Sequence, residues 1–189
     1  MKTAILLLAA GSSSRMGKPK QLLPFKNTTL LGNAIEQAKK SKTNAVYCVL
    51  GANTKIIQES ISNYKTQTIF NANFKDGLST SIVLGVNHLK DKYDAILIML
   101  ADQPEVSSNY LNEFINLSNK NPSKIIASNY QNKIGVPAIF PKMYFHQLLK
   151  LEGDKGAKEI LNNEINIIKM APINLTDIDT EEDYLNLIN

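Results

Sequence analysis

Several things are scarce in this sequence. Its 189 residues hold one cysteine, two histidines and, against 20 lysines, a single arginine. Cys48 stands alone inside the apolar run AVYCVL. There is no disulfide framework, so a buried, inert thiol in a reducing, cytoplasmic compartment is expected. No apolar run approaches the roughly 20 residues that a membrane-spanning helix needs. No block of like charge appears, and the net charge of +4 is spread over isolated lysines, often beside asparagines. That is the pattern of a solvated surface and not of a nucleic-acid footprint. Neither nucleic acid nor membrane is therefore expected as a partner. His88 and His146 lack a cysteine or carboxylate at metal-ligand spacing and read as structural. No serine lies in a G-x-S-x-G elbow and no cysteine–histidine pair is evident, so covalent catalysis has no obvious nucleophile.

One alternative at the N-terminus must be weighed. Lys2 followed by Ala4–Ala10 imitates a secretion signal. Seven apolar residues is the lower limit for such a core. Gly11 stands where a lipoprotein would need cysteine, and basic residues return at once in RMGKPK. A buried strand explains the segment better.

What is present is ordinary globular material, 43% hydrophobic and 20% charged. One domain over 1–189 is expected, able to bury roughly 70% of its unfolded surface. Short apolar runs alternate with helical periodicity. Strands are expected at 3–9, 44–51, 66–71, 93–102, 123–128, 135–140 and 165–170. Helices are expected at 28–40, from a cap at Asn53 to about 63, at 76–89, from a cap at Ser107 to about 118, at 141–151, at 155–162 and at 180–188. The polar stretch NYQNKI (129–134) reads as a turn. Alternation of this kind implies an α/β chain with a mostly parallel sheet, in which ligands bind beyond the carboxyl ends of the strands.

The first such end carries AAGSSSRMGKPKQLLP. A Gly/Ser turn after a buried strand suits anion binding, because backbone N–H groups can converge on phosphate oxygens. Two common nucleotide motifs fail here. Five residues separate Gly11 from Gly17, and Pro19 follows Lys18, so this is not a P-loop; no G-x-G-x-x-G occurs either.

The loop resembles the signature of the molybdenum cofactor cytidylyltransferases, within the wider MobA-like nucleotidyltransferase family. The pattern LAAGxSxRMGxPKxL is met at every fixed position. The resemblance continues through NANFKDGLSTSIVLG (71–85), MLADQP (99–104), GVPAIF (135–140), GDKGAK (153–158) and DIDTEEDY (177–184). It departs from the family at Lys158, usually arginine, and at Glu181, often proline. The family implies a single-domain, Rossmann-like three-layer sandwich of the nucleotidyltransferase (GT-A-like) kind with a mixed, mostly parallel sheet. It implies Mg2+-dependent transfer of a nucleoside monophosphate to a phosphate monoester, with release of pyrophosphate. PK in the first loop favours CTP over GTP, and the acceptor implied is a molybdopterin-type phosphate monoester. Transient contact with a molybdoenzyme would follow. A sugar or polyol phosphate acceptor, or a non-catalytic binding role, are the rivals.

The same resemblance distributes roles. Leu8, Ala9, Ala10, Gly11, Ser12 and Ser13 would form the nucleotide loop. Arg15 and Lys20 would meet the triphosphate, the arginine through a planar fork that lysine lacks. Asn71, Gly77, Ser79 and Ser81 would hydrogen-bond the nucleotide. Asp102, ending the most apolar strand, is the leading metal ligand, a hard charged oxygen donor. Asp179 is the expected second ligand, with Asp177 and Asp154 as alternatives. Gln103, Gly135, Pro137 and Asp154 would face the acceptor.

Overall fold

Thr3–Ala9 forms strand β1, and all seven of its residues are buried. A strand with no wet side must be covered on both faces. Ile5, Leu7 and Ala9 accordingly enter one apolar layer and Ala4, Leu6 and Leu8 the other. This is a computed structural model, and it describes residues 1–131, 133–173 and 175–189.

A small antiparallel ribbon, β2 (Pro24–Phe25) with β3 (Thr28–Thr29), leads into helix α1 (Leu30–Lys40). Then follow β4 (Ala45–Leu50), α2 (Thr54–Ser60), β5 (Gln67–Phe70), α3 (Leu78–Leu89), β6 (Ala95–Leu100) and α4 (Ser108–Lys120). The chain continues through β7 (Ile125–Asn129), β8 (Ile134–Pro141), α5 (Phe145–Leu148), α6 (Lys158–Asn163), β9 (Ile167–Pro172) and α7 (Glu181–Ile188). Seven strands make one sheet in the order β5-β4-β1-β6-β8-β7-β9. Only β8 runs against its neighbours, β6 and β7; the remaining pairs are parallel. The mixed, mostly parallel α/β sheet is the one expected from the alternation of runs.

Leu31, Ile35, Ile57, Leu111 and Phe114, from α1, α2 and α4, cover one face. Ile82, Val86, Phe145, Leu148 and Leu161, from α3, α5 and α6, cover the other. Each fully buried side chain of this size contributes about 1.5–3 kcal/mol. A third, smaller cluster joins Leu23, Leu30 and Ile178, with Phe25, Tyr184 and Leu187 packed against it. It ties the C-terminal helix to the ribbon.

Three local expectations need correction. Asn53 precedes α2 but makes no side-chain cap; it is left-handed, at φ 54°, and Thr54 Oγ1 instead donates to Gly51 O at 2.6 Å. The helix expected from position 28 starts at Leu30, because Thr28 and Thr29 pair in the ribbon and Thr29 caps α1 by accepting from Gly32 N. The helical stretch expected over 141–151 is a 3-10 turn followed by the single-turn α5. Pro141, with no N–H to give, ends β8 there. Asn132, inside the expected turn 129–134, lies outside the described residues.

Candidate active site

β1 and β6 lie side by side in parallel, with Leu8 opposite Leu100. Their carboxyl ends therefore deliver the Gly/Ser loop and Asp102 to the same edge. Ile178 N donates to Asp102 O at 3.0 Å, which lays the 177–179 segment beside the end of β6. The buried Ile178 side chain in the third apolar cluster holds it there.

Lys20, Asp102 and Asp179 meet at this edge. Lys20 Nζ donates to Asp102 Oδ2 at 2.5 Å and to Asp179 Oδ1 at 2.8 Å. The side chains of Lys20 and Asp102 are 16% and 17% exposed, so the pair is largely removed from water. Burial opposes the Lys20 charge, but the Asp102 charge and the hydrogen bonds to both carboxylates outweigh it and raise its pKa above the ordinary value. Burial likewise pushes the Asp102 carboxyl up, against the pull of Lys20 and with help from the nearby charge of Asp177. Arg15, the lone arginine, lies outside; its side chain is 75% exposed and Nη1 is 3.5 Å from Asp179 Oδ2.

Gln21 braces the loop. Its Nε2 donates to Ala9 O at 3.0 Å and to Gly11 O at 2.9 Å. Ser13, at φ 55°, accepts from Lys20 N and donates to Gln21. The loop is thus folded back on itself, with Lys20 at its root.

A cavity of about 660 Å³ opens over this edge. Of the residues singled out in the sequence, Leu8, Ala9, Ala10, Gly11, Ser12, Lys20, Gly77, Ser81, Asp102 and Asp154 line it. Ser14, Gln21, Phe74 and Lys75 line it as well. The chain does not bring Ser13, Arg15, Asn71 or Ser79 to its wall. Asn71 is buried behind it, donating to Thr80 Oγ1 and Ser81 Oγ and accepting from Asn73 N. Ser79 is fully buried and donates to Glu152 O at 3.1 Å. Both clasp the wall rather than form it. Gly77, at φ 107°, carries the chain so close to the Gly153 carbonyl that a Cβ would stand 2.4 Å from its oxygen. Asp154 follows, accepting from Leu78 N at 3.3 Å at the start of α3.

A second cavity of about 380 Å³ adjoins the first across Leu8, Leu78, Leu100 and Asp154. Ile82, Ile98, Ile134, Val136 and Leu161 supply apolar walls, and Lys133, Lys155 and Lys158 supply charge. Gln103 and Gly135 line it; Pro137 does not, its carbonyl accepting instead from Ser128 Oγ. Gln103 Nε2 donates to Asp177 Oδ1 at 2.8 Å and to Tyr130 OH at 3.0 Å. This fixes the amide, because reversal would set its oxygen against the Asp177 carboxylate. Gln103 Oε1 is buried and has no partner among the described residues. Asp177 is thereby engaged by Gln103, and both line the second cavity. Gly135 leaves room for the Tyr130 ring, which a Cβ would meet at 2.9 Å. Tyr130 and Gln21 escape sequence reasoning, one hidden in a polar turn and the other following Lys20 without a pattern of its own.

Among the described residues no three His, Cys, Asp or Glu side chains converge into a cage for a metal. Two carboxylates do converge, and Asp102 Oδ1 is buried without a partner. Hard oxygen donors of this kind fit a Mg2+- or Mn2+-type ion whose remaining ligands come from a bound phosphate or water.

A nucleotide-sized cavity at the ends of a mostly parallel sheet, with a Gly/Ser loop, a cation and paired carboxylates, defines the nucleotidyltransferase class. The chain belongs to the MobA-like NTP transferase domain family, which it matches over residues 5–168. It is similar to the purine catabolism protein PucB of Bacillus subtilis (strain 168), 28% identical over 95% of this chain and 92% of that protein. The nicotine blue oxidoreductase of Paenarthrobacter nicotinovorans is 27% identical over 94% and 89%. The molybdenum cofactor cytidylyltransferase of Escherichia coli (strain K12) is 26% identical over 95% and 92%. Among solved structures, Rv0371c of Mycobacterium tuberculosis H37Rv superposes with a TM-score of 0.87 at 26% identity, over 98% of this chain and 96% of that one. Its complex with manganese superposes at 0.83 with 25% identity, over 99% and 98%.

Proposed function

We propose that the whole chain, 1–189, acts as one cytidylyltransferase unit that moves CMP from CTP to the terminal phosphate of a molybdopterin-type acceptor. The observation that supports this most is the pair of adjoining cavities, one charged and loop-lined, the other apolar with a lysine rim. The triphosphate lies over the Gly11 loop with Lys20 and Arg15 as its cations. Asp102 and Asp179 hold a divalent ion, Mg2+ or Mn2+, which when bound neutralises charge on the triphosphate. The acceptor body fills the apolar cavity, with its phosphate facing the first. An acceptor phosphate oxygen attacks the α-phosphorus. A new O–P bond forms, the bond to the β-phosphate oxygen breaks, and pyrophosphate leaves. No side-chain nucleophile is required, so positioning and charge neutralisation do the work.

The apolar walls favour a flat ring over a sugar or polyol, whose hydroxyl groups would be left unpaired there. CTP is preferred on the PK of the first loop, which in the family accompanies CTP. A product of this kind is handed on, which gives the protein a transient contact with a molybdoenzyme.

The decisive assay supplies Mg2+ or Mn2+, each nucleoside triphosphate in turn, and molybdopterin or simple phosphate monoesters, and follows pyrophosphate. CTP with molybdopterin is expected to give release. Release with GTP alone overturns the base assignment, and release only with polyol phosphates overturns the acceptor.

A further inference from the structure

The geometry points to a second role for Lys20 beyond meeting phosphate: in the nucleotide-free protein its ammonium holds the place of the metal, so the divalent ion enters with the triphosphate and not ahead of it. This rests on reading Asp102 and Asp179 as the carboxylates that face a metal–triphosphate complex.

Lys20 Nζ touches one oxygen of each carboxylate, at 2.5 and 2.8 Å. An ion held by the same two carboxylates would sit within reach of Nζ, and two cations would repel there. Water screens them only in part, since Lys20 and Asp102 are mostly buried while Asp179 is half exposed. The lysine cannot leave without a new partner, because stranding a desolvated ammonium is costly. A triphosphate supplies that partner. Its oxygens take Lys20 while its metal takes the carboxylates, so each charge exchanges one counter-ion for another. Arg15, held at 3.5 Å from Asp179 Oδ2, makes the same exchange at the exposed end. Lys20 is then also a positioning residue. It keeps Asp102, from the end of β6, and Asp179, from the segment before α7, from repelling each other.

The test is Mn2+ binding to the whole protein, read by electron paramagnetic resonance of the free ion, with no acceptor and no turnover. Without nucleotide, Lys20→Met is expected to bind Mn2+ at least tenfold more tightly than the unaltered protein. Lys20→Arg, which keeps the charge, is expected to stay weak. Equal affinities for Lys20→Met and the unaltered protein overturn the inference, as does tight binding by Lys20→Arg. If Lys20→Met fails to fold, the unaltered protein decides alone. Its Mn2+ affinity is expected to rise at least tenfold with a saturating α,β-methylene analogue of CTP, beyond the analogue's own affinity for the ion. No rise overturns the place-holder. No Mn2+ bound even with nucleotide overturns it too, by removing the carboxylates from the metal role. Tight ternary binding together with no pyrophosphate release from CTP and molybdopterin in the separate turnover assay sinks only the acceptor assignment of the proposed function.

Discussion

Arg15 is the one arginine in a chain that elsewhere uses lysine, and its exposed side chain lies beside Asp179, off the wall of the charged cavity. An exposed guanidinium does little for stability. The proposed use is in binding, since a planar fork can grip two phosphate oxygens at once. Arg15→Lys is expected to lower kcat/KM for the nucleotide about tenfold with the melting temperature unchanged; full activity in steady-state kinetics would remove the reason given for the arginine. Asp102→Asn keeps the shape of the side chain and removes its charge. Turnover should fall at least about a hundredfold, while circular dichroism shows an intact fold. Gln103 lines the second cavity, the proposed acceptor side, so Gln103→Leu should raise the KM for the acceptor about tenfold and leave that for the nucleotide unchanged. A change in the nucleotide KM instead would place Gln103 in the other cavity. All three residues were legible in the sequence, since each stands where a short motif meets the end of a strand. Asn71 and Ser79 were legible as polar residues near the site, but not as inward-facing clasps. Which way a side chain turns depends on the elements packed behind it.

At the scale of elements, α7 carries the second carboxylate to the site. It starts with a capping box in which Thr180 Oγ1 accepts from Asp183 N while Asp183 accepts from Thr180 N. Hydrogen bonds from the Thr180 side chain and backbone, then from Asp179 N, hold the Asp183 carboxyl below its ordinary value of 3.8. A carboxyl depressed in the folded state lends stability above its unfolded pKa, and this is lost as pH falls through the folded value. Hydrogen exchange of α7 should therefore quicken as pH drops below about 4, once corrected for the intrinsic rate. Asp183→Asn should flatten that dependence, and an unchanged profile would show that the box does not hold the helix. Behind the charged cavity, Asn71 ties the end of β5 to Thr80 and Ser81 of α3. Asn71→Ala takes its partner from the buried Ser81 hydroxyl and is expected to cost about 1–3 kcal/mol by urea unfolding. The helix at 180–188 could be read from the sequence; that α7 docks on the ribbon through Tyr184 and Leu187 could not.

For the molecule as a whole, both cavities lie along one edge of the sheet, and no helix among the described residues is long and apolar enough to cross a membrane. A ligand that binds only the folded state stabilises it by mass action, about 2.7 kcal/mol at a hundredfold excess over Kd. For a chain of this length that is about 5–10 °C of melting temperature. CTP with Mg2+ or Mn2+ should produce such a shift in calorimetry, and CTP with a chelator should produce much less.

The sequence by itself determined the alternation of strands and helices and the burial of β1 on both faces. These follow from local periodicity, which records which residues avoid water. The tertiary structure alone decided that Lys20 meets Asp179, a residue 159 positions away, and that Gln103 is aligned by Asp177. The partner of a polar group depends on which strand ends lie side by side. The order of strands across the sheet sets that, and no short stretch of sequence contains it.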